Sequence, residues 1–251
     1  METIIIVLAI IVILLSYYIY TIFTAVPSVG NNIDLTKPPI IVKSSTISDP
    51  YSANYTVGVW VYIFNFPSSN NQIGRFLMYG DNTTTGKNLF SLRMGTTSPS
   101  LYCDILVNTS GGGTKTQSVL IIDNFPIQKW VNVVTSVSAG YIECYLNGSF
   151  VLAQTVEGTI YTGTPPTDPS AGATFRFGAQ GTLMDDGKTT RTNGSPMVLN
   201  LVSRWNYPLS AGDVYNNYNK GNGQSTNIWG PAYHMNLNLA QGTNNYTLPI
   251  F

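Results

Sequence analysis

The chain has 251 residues, 12 basic and 12 acidic, for a net charge of zero. Charged residues make up 10% of it, against about 25% in an average soluble domain. Such sparse charge excludes nucleic acid as a partner, because a phosphate backbone requires a basic footprint.

Residues 4–23, IIIVLAIIVILLSYYIYTIF, carry no charge. Twenty residues at about 1.5 Å each match the thickness of a hydrocarbon core. The stretch reads as a single transmembrane helix, 1–24, anchored through Ile4, Ile5, Ile6, Leu8, Ile11, Leu14 and Leu15. Tyr17, Tyr18 and Phe23 stand at the end where an aromatic belt forms. A cleaved signal peptide fits less well: there is no basic leader, and the apolar run is too long. The first basic residues, Lys37 and Lys43, follow the span, which leans the remainder of the chain toward the cytosol.

Residues 25–50 hold Pro27, Pro38, Pro39 and Pro50. Proline at this density resists a helix, and the expectation is an extended stalk. From residue 51 the pattern is β throughout. The stretches 55–66, 75–80, 88–95, 100–108, 118–123, 129–138, 141–156, 174–180 and 196–209 are short and rich in aromatic and β-branched residues. GGGTKT, 111–116, reads as a loop, and 162–172 as a proline-rich loop.

In 130–137, Val131, Val133, Thr135 and Val137 alternate with Trp130, Asn132, Val134 and Ser136. In 141–146, Ile142, Cys144 and Leu146 oppose Tyr141, Glu143 and Tyr145. Asn147–Gly148 is a hairpin signal, since both residues accept a positive φ. One helix is expected over 210–221, with Ser210 as its cap, Asp213 three residues on and Gly221 at its end. Regularly spaced strands with a single short helix predict an all-β, two-sheet antiparallel sandwich.

Cys103 and Cys144 stand in apolar strands and in no CxxC pair. Buried free thiols and a disulfide both remain open. Six N-x-S/T sequons occur among 24 Asn. Chance alone supplies about as many, so they carry no evidence of an extracellular domain.

The run WVNVV with GYIECYLNG resembles the central hairpin of the laminin G-like, concanavalin A-like jelly rolls. YTVGVWVYIFNF is similar to that family's early strand, FRFGAQ to a later one, and VSRWNYPLSAGDVYNNYNKG to its late strand and helix. The resemblance covers about residues 51–222 and implies two curved sheets of six or seven strands each. The rest, 223–251, is an extension that packs on the sandwich or on a neighbour.

The resemblance raises three kinds of chemistry. Glycoside hydrolysis needs two carboxylates flanking the bond, but Glu143 stands alone on its strand, so an enzyme is not expected. The lone His234 has no nucleophile motif beside it. No resident cofactor is expected; a calcium ion would use Asp185, Asp186 and Asn193. A glycan or protein partner would use Tyr141, Tyr145, Trp205 and Tyr207.

With its anchor, neutral surface and Asn/Thr/Tyr-rich sandwich, the chain resembles minor capsid proteins of large icosahedral DNA viruses of the algal type. That implies a virion location, at an internal membrane beneath the capsid, with membrane lipid and capsid subunits as partners. The alternative is a membrane-anchored lectin or adhesin.

Overall fold

In the computed structural model, the residues described are 2–24, 27–37, 40–43, 47, 49–66, 74–80, 87–95, 98–163, 172–178, 196–222, 236–241 and 244–249. Side chains are described for these except 2–6, 19–24 and 236–249. The first element, α1 (Glu2–Thr24), is a helix whose described side chains, Val7 to Tyr18, are all exposed. Among the described residues, no helix is long and apolar enough to cross a membrane.

Sixteen strands lie among the described residues: β1 (Ser28–Gly30), β2 (Ile33–Asp34), β3 (Ile40–Lys43), β4 (Tyr55–Ile63), β5 (Arg75–Gly80), β6 (Asn88–Met94), β7 (Leu101–Asn108) and β8 (Thr114–Ile122) come first. Then come β9 (Trp130–Val137), β10 (Tyr141–Leu146), β11 (Ser149–Thr155), β12 (Thr159–Ile160), β13 (Thr174–Phe177) and β14 (Met197–Trp205). The second helix, α2 (Ala211–Asn219), precedes β15 (Asn236–Gln241) and β16 (Asn244–Pro249).

Two seven-stranded antiparallel sheets form the sandwich. Sheet A runs β1-β14-β4-β9-β10-β11, with β2 also on β14; sheet B runs β12-β7-β6-β5-β13-β3, with β8 also on β7. β15 and β16 pair with each other. The period-two pattern explains the core. Val57, Val59, Val61 and Ile63 of β4 and Val131, Val133 and Val137 of β9 point inward, against Phe90, Leu92, Phe175 and Phe177 of sheet B.

Residues 25–50 differ from the expected stalk. β1 and β2 lie in tandem along β14, and β3 pairs with β13. Ile33, Leu35 and Ile47 join the core. A proline-flanked extended segment can still supply an edge strand, because an edge leaves one row of backbone groups unpaired in any case. β8 likewise begins at Thr114, inside the stretch read as a loop.

Three local features tie neighbouring segments together. β14 bulges between Asn200 and Ser203, with Leu201 at φ 44°. The Asn200 side chain stitches the bulge: its Oδ1 accepts from Asn32 N and Leu201 N, each at 3.0 Å, and its Nδ2 donates to Asn222 O. On the outer face of sheet B, the buried carboxylate of Asp104 accepts from Arg93 Nε at 2.9 Å and Ser118 Oγ at 2.7 Å, with Arg75 at 3.5 Å. At the end of β14, the Arg204 guanidinium lies 5.3 and 5.4 Å from the rings of Tyr55 and Tyr79, and its backbone N–H donates to Pro27 O at 3.2 Å.

Cys103 on β7 and Cys144 on β10 share the core as buried free thiols, so no bridge forms between them. Burial holds the Cys103 thiol well above its usual range and pushes Cys144 up to about 12. The Thr135 hydroxyl lies near both sulfurs but meets neither in hydrogen-bond geometry.

Candidate functional site

The outer face of sheet A is the alternate set of the same strands: Thr56, Gly58 and Trp60 on β4, Asn132 and Val134 on β9, Ser203 and Trp205 on β14, and Tyr145 on β10. Part of this face is closed over by the chain beyond β14. Leu209 N donates to Thr56 Oγ1 at 2.9 Å, and the same hydroxyl donates to Tyr207 O at 3.0 Å. That pins residues 207–209 across the sheet and sets the start of α2.

The Ser210 hydroxyl accepts from Asp213 N, and the Asp213 carboxylate accepts from Ser210 N, completing a capping box. At the other end, Gly221 takes φ 79°, as a helix C-terminus favours. α2 then buries Val214 with Leu209, Val134, Tyr145 and Trp205 in a second, smaller core. Trp205 packs against Gly58, where a Cβ would come within 3.1 and 3.3 Å of the indole carbons.

Beside this small core, the strands and the end of α2 leave a pocket of about 580 Å³, open mouth included. Its walls are Trp60, Val134, Leu201, Trp205 and Leu209; Ser28, Asn132, Ser203, Asn217 and Lys220 supply polar groups. Trp60 is held in place by stacking on Tyr218, centroids 5.5 Å apart at 20°. Asn132 is fixed by exchange with the hairpin turn: its N–H donates to Asn147 Oδ1, and Asn147 N donates back to Asn132 O, both at 2.9 Å. The expected Asn147–Gly148 turn is there, with φ 50° and 75°.

Asn132 is only 7% exposed, and its Oδ1 is buried with no hydrogen-bond partner. The pocket thus combines indole and aliphatic walls with the serine, asparagine and lysine residues of its lining. Among the described residues, no carboxylate lines it.

Of the four aromatics considered from sequence, Tyr145 and Trp205 are buried in the small core, while Tyr141 and Tyr207 are exposed. Trp205 is the one that lines the pocket. Tyr145 Oη donates to Glu143 Oε2 at 2.9 Å. Burial, with that bond and the Glu143 charge behind it, raises the phenol to about 12. Trp60, Asn132, Gly58 and Ser203 were missed as site residues, because on alternation they read only as the polar face of their strands. Asp185, Asp186, Asn193 and His234 lie outside the described residues. Among the described residues, no three His, Cys, Asp or Glu cluster as metal ligands would.

Residues 40–215 match the family Laminin_G_3, described as the concanavalin A-like lectin/glucanases superfamily. The comparison with curated protein sequences finds no match. Among solved structures, the chain is similar to the receptor binding domain of botulinum neurotoxin C/D mosaic serotype. The TM-score is 0.50 at 14% identity, over 76% of this chain and 42% of that one. It is also similar to the botulinum neurotoxin serotype G binding domain, with TM-score 0.49 at 11% identity, over 89% of this chain and 61% of that one. The chain therefore spans less than two thirds of these structures, and at such identities the likeness is one of fold.

Proposed function

Since the chain belongs to the concanavalin A-like lectin/glucanases superfamily, a fold that hosts both binding and catalysis, we propose that it is a non-catalytic binding module held on a membrane by α1. In its specific form, it is a minor structural component of a virion, joining an internal membrane to capsid subunits.

The observation that carries this reading is α1. Its described side chains are an unbroken apolar stretch with one serine and two tyrosines, and every one is exposed rather than packed on the sandwich. Such a surface calls for an apolar partner. The full helix, Glu2–Thr24, is 23 residues, or about 34 Å at about 1.5 Å per residue, against about 30 Å for a hydrocarbon core. The low charge of the chain suits packing among neighbouring subunits. A binding role is supported by the indole walls and amide side chains of the pocket lining. The presence of a receptor binding domain among proteins of this fold agrees with it.

The pocket favours one second reading, a glycan-binding lectin or adhesin, because indole walls beside an amide acceptor suit a sugar ring.

Fractionation of purified particles, with mass spectrometry of the intact chain, tests the proposal. A bare chain inside a virion, protected from protease until the shell is opened, is the expected result. A glycosylated chain cleaved by protease on intact cells would overturn it and favour the lectin.

A further inference from the structure

Strand register fixes where α1 meets the sandwich. Pro27 is held on sheet A through its carbonyl, which accepts from Arg204 N at 3.2 Å. β1 then runs antiparallel to β14, so the chain reaches Pro27 from the end where β14 stops, at Trp205. α1 ends at Thr24, and three Cα–Cα steps span at most about 11 Å. The helix therefore closes within that distance of this end of sheet A.

The end it approaches is fixed in shape and carries two tyrosines. Arg204 pairs with Val57, Val57 with Thr135, and Thr135 with Cys144. Three residues beyond that row, about 10 Å, stands Tyr141, 57% exposed. Its turn is pinned: Ser138 N donates to Tyr141 O at 2.9 Å, Ala139 N to Asn54 Oδ1 at 3.0 Å and Val156 N to Gly140 O at 3.0 Å. Tyr207, 52% exposed, follows β14 at the same end, its carbonyl held by Thr56 Oγ1. Asn54, residues 138–141 and residues 206–208 carry no charge. Asp49 and Glu157 stand by Arg204 and Lys115.

A neutral surface tipped with tyrosines suits the membrane–water interface, where the ring meets apolar chains and the hydroxyl stays wet. We infer that this end of the sandwich rests on the membrane surface, with Tyr141 and Tyr207 in the headgroup layer and the strands rising away from it. The inference rests on the reading of α1 as an anchor. It gives the proposed role a direction, because the far end, where Phe64 and Ile127 are exposed, is then turned toward partner subunits.

The test uses the full chain in phosphatidylcholine vesicles, with a fluorophore on Gly140→Cys or on Lys129→Cys. The two positions flank β9, whose eight residues span about 27 Å. A Cβ at Gly140 meets nothing within 4 Å, and Lys129 is exposed. The native thiols are buried and stay unlabelled. Quenching by a headgroup nitroxide is expected to be several-fold stronger at position 140 than at 129. Tyr141→Ser combined with Tyr207→Ser, both at exposed side chains, should abolish most of that difference while flotation with the vesicles persists.

Equal quenching in the parent chain, or stronger quenching at 129, overturns the inference. A difference that survives loss of both tyrosines does so too, since the tether alone would then set the posture. Self-quenching between labelled chains at 140, relieved by unlabelled chain, places a second copy on this end and overturns the bilayer as its occupant. A chain that fails to float removes the anchor and the inference with it, an outcome distinct from an anchored chain quenched equally at both positions.

Discussion

Replacing Asp104 by Ala would leave Arg93 and Arg75 facing each other on the outer face of sheet B without the carboxylate between them. The carboxylate is 3% exposed and accepts two short bonds, from Arg93 Nε and Ser118 Oγ. Hydrogen bonds to a charged group contribute about 1.5–3 kcal/mol each, and removing one partner of a buried pair costs about 3–5 kcal/mol. The Arg93 side chain is 27% exposed, so water compensates part of the loss, and the lower end, about 3 kcal/mol, applies. For a chain of this size that lowers Tm by about 6–12 °C. The assay is urea and thermal unfolding of Asp104→Ala and Asp104→Asn beside the parent. Asn keeps the shape and one acceptor, so it should lose less than Ala. A loss under about 1 kcal/mol for Ala would refute the reasoning, because it is the size expected of a solvated surface pair.

Gly58→Ala gains strand propensity but drives a Cβ against Trp205. Leu209 and Val214 pack in the same small core as the indole, so the expected result is a net loss of about 1–2 kcal/mol; a more stable Gly58→Ala protein with unchanged tryptophan emission would contradict it. Ser210→Ala removes the capping box and should cost about 1 kcal/mol, read as a loss of helical signal from α2 and a lower unfolding midpoint. A thiol reagent at pH 8 should find no reactive cysteine in the native chain and both after denaturation, since both sulfurs are buried. Cys144 and Tyr145 titrate near 12 when folded, against ordinary values of 9 and 10. The unfolded chain therefore releases these protons first, so stability should hold below pH 9 and fall from pH 9 to 12, by up to about 4 kcal/mol for Cys144. Cys103, also held well above its usual range, adds to the same fall, so Cys144→Ala should reduce it without abolishing it.

The sandwich was legible wherever one strand face met the core. β4 and β9 alternate strictly, the Asn147–Gly148 turn has its own chemistry, and α2 carries its start and stop signals in Ser210, Asp213 and Gly221. The first strands were not legible, because β1 and β2 are short and find their partner, β14, about 170 residues away. Val134 and Trp205 read as an outward face, yet α2 folds back over them; alternation tells which residues share a face, not what covers it. Asn132 drew no attention as one polar residue among several.

The pairing of β1 and β2 with β14 also dictates an order of folding. β5 to β8 form one meander from adjacent segments, and β9 to β11 another. Ser28 cannot meet Ser203 until some 175 more residues have been made, roughly 10–35 s at ordinary rates of synthesis. β14 joins β4 to both opening strands, so it is the last piece that closes sheet A, and non-local closure of this kind slows folding. A chain cut short before Met197 would hold its hairpins, yet leave Ile33 and one whole side of β4 without the strand that covers them.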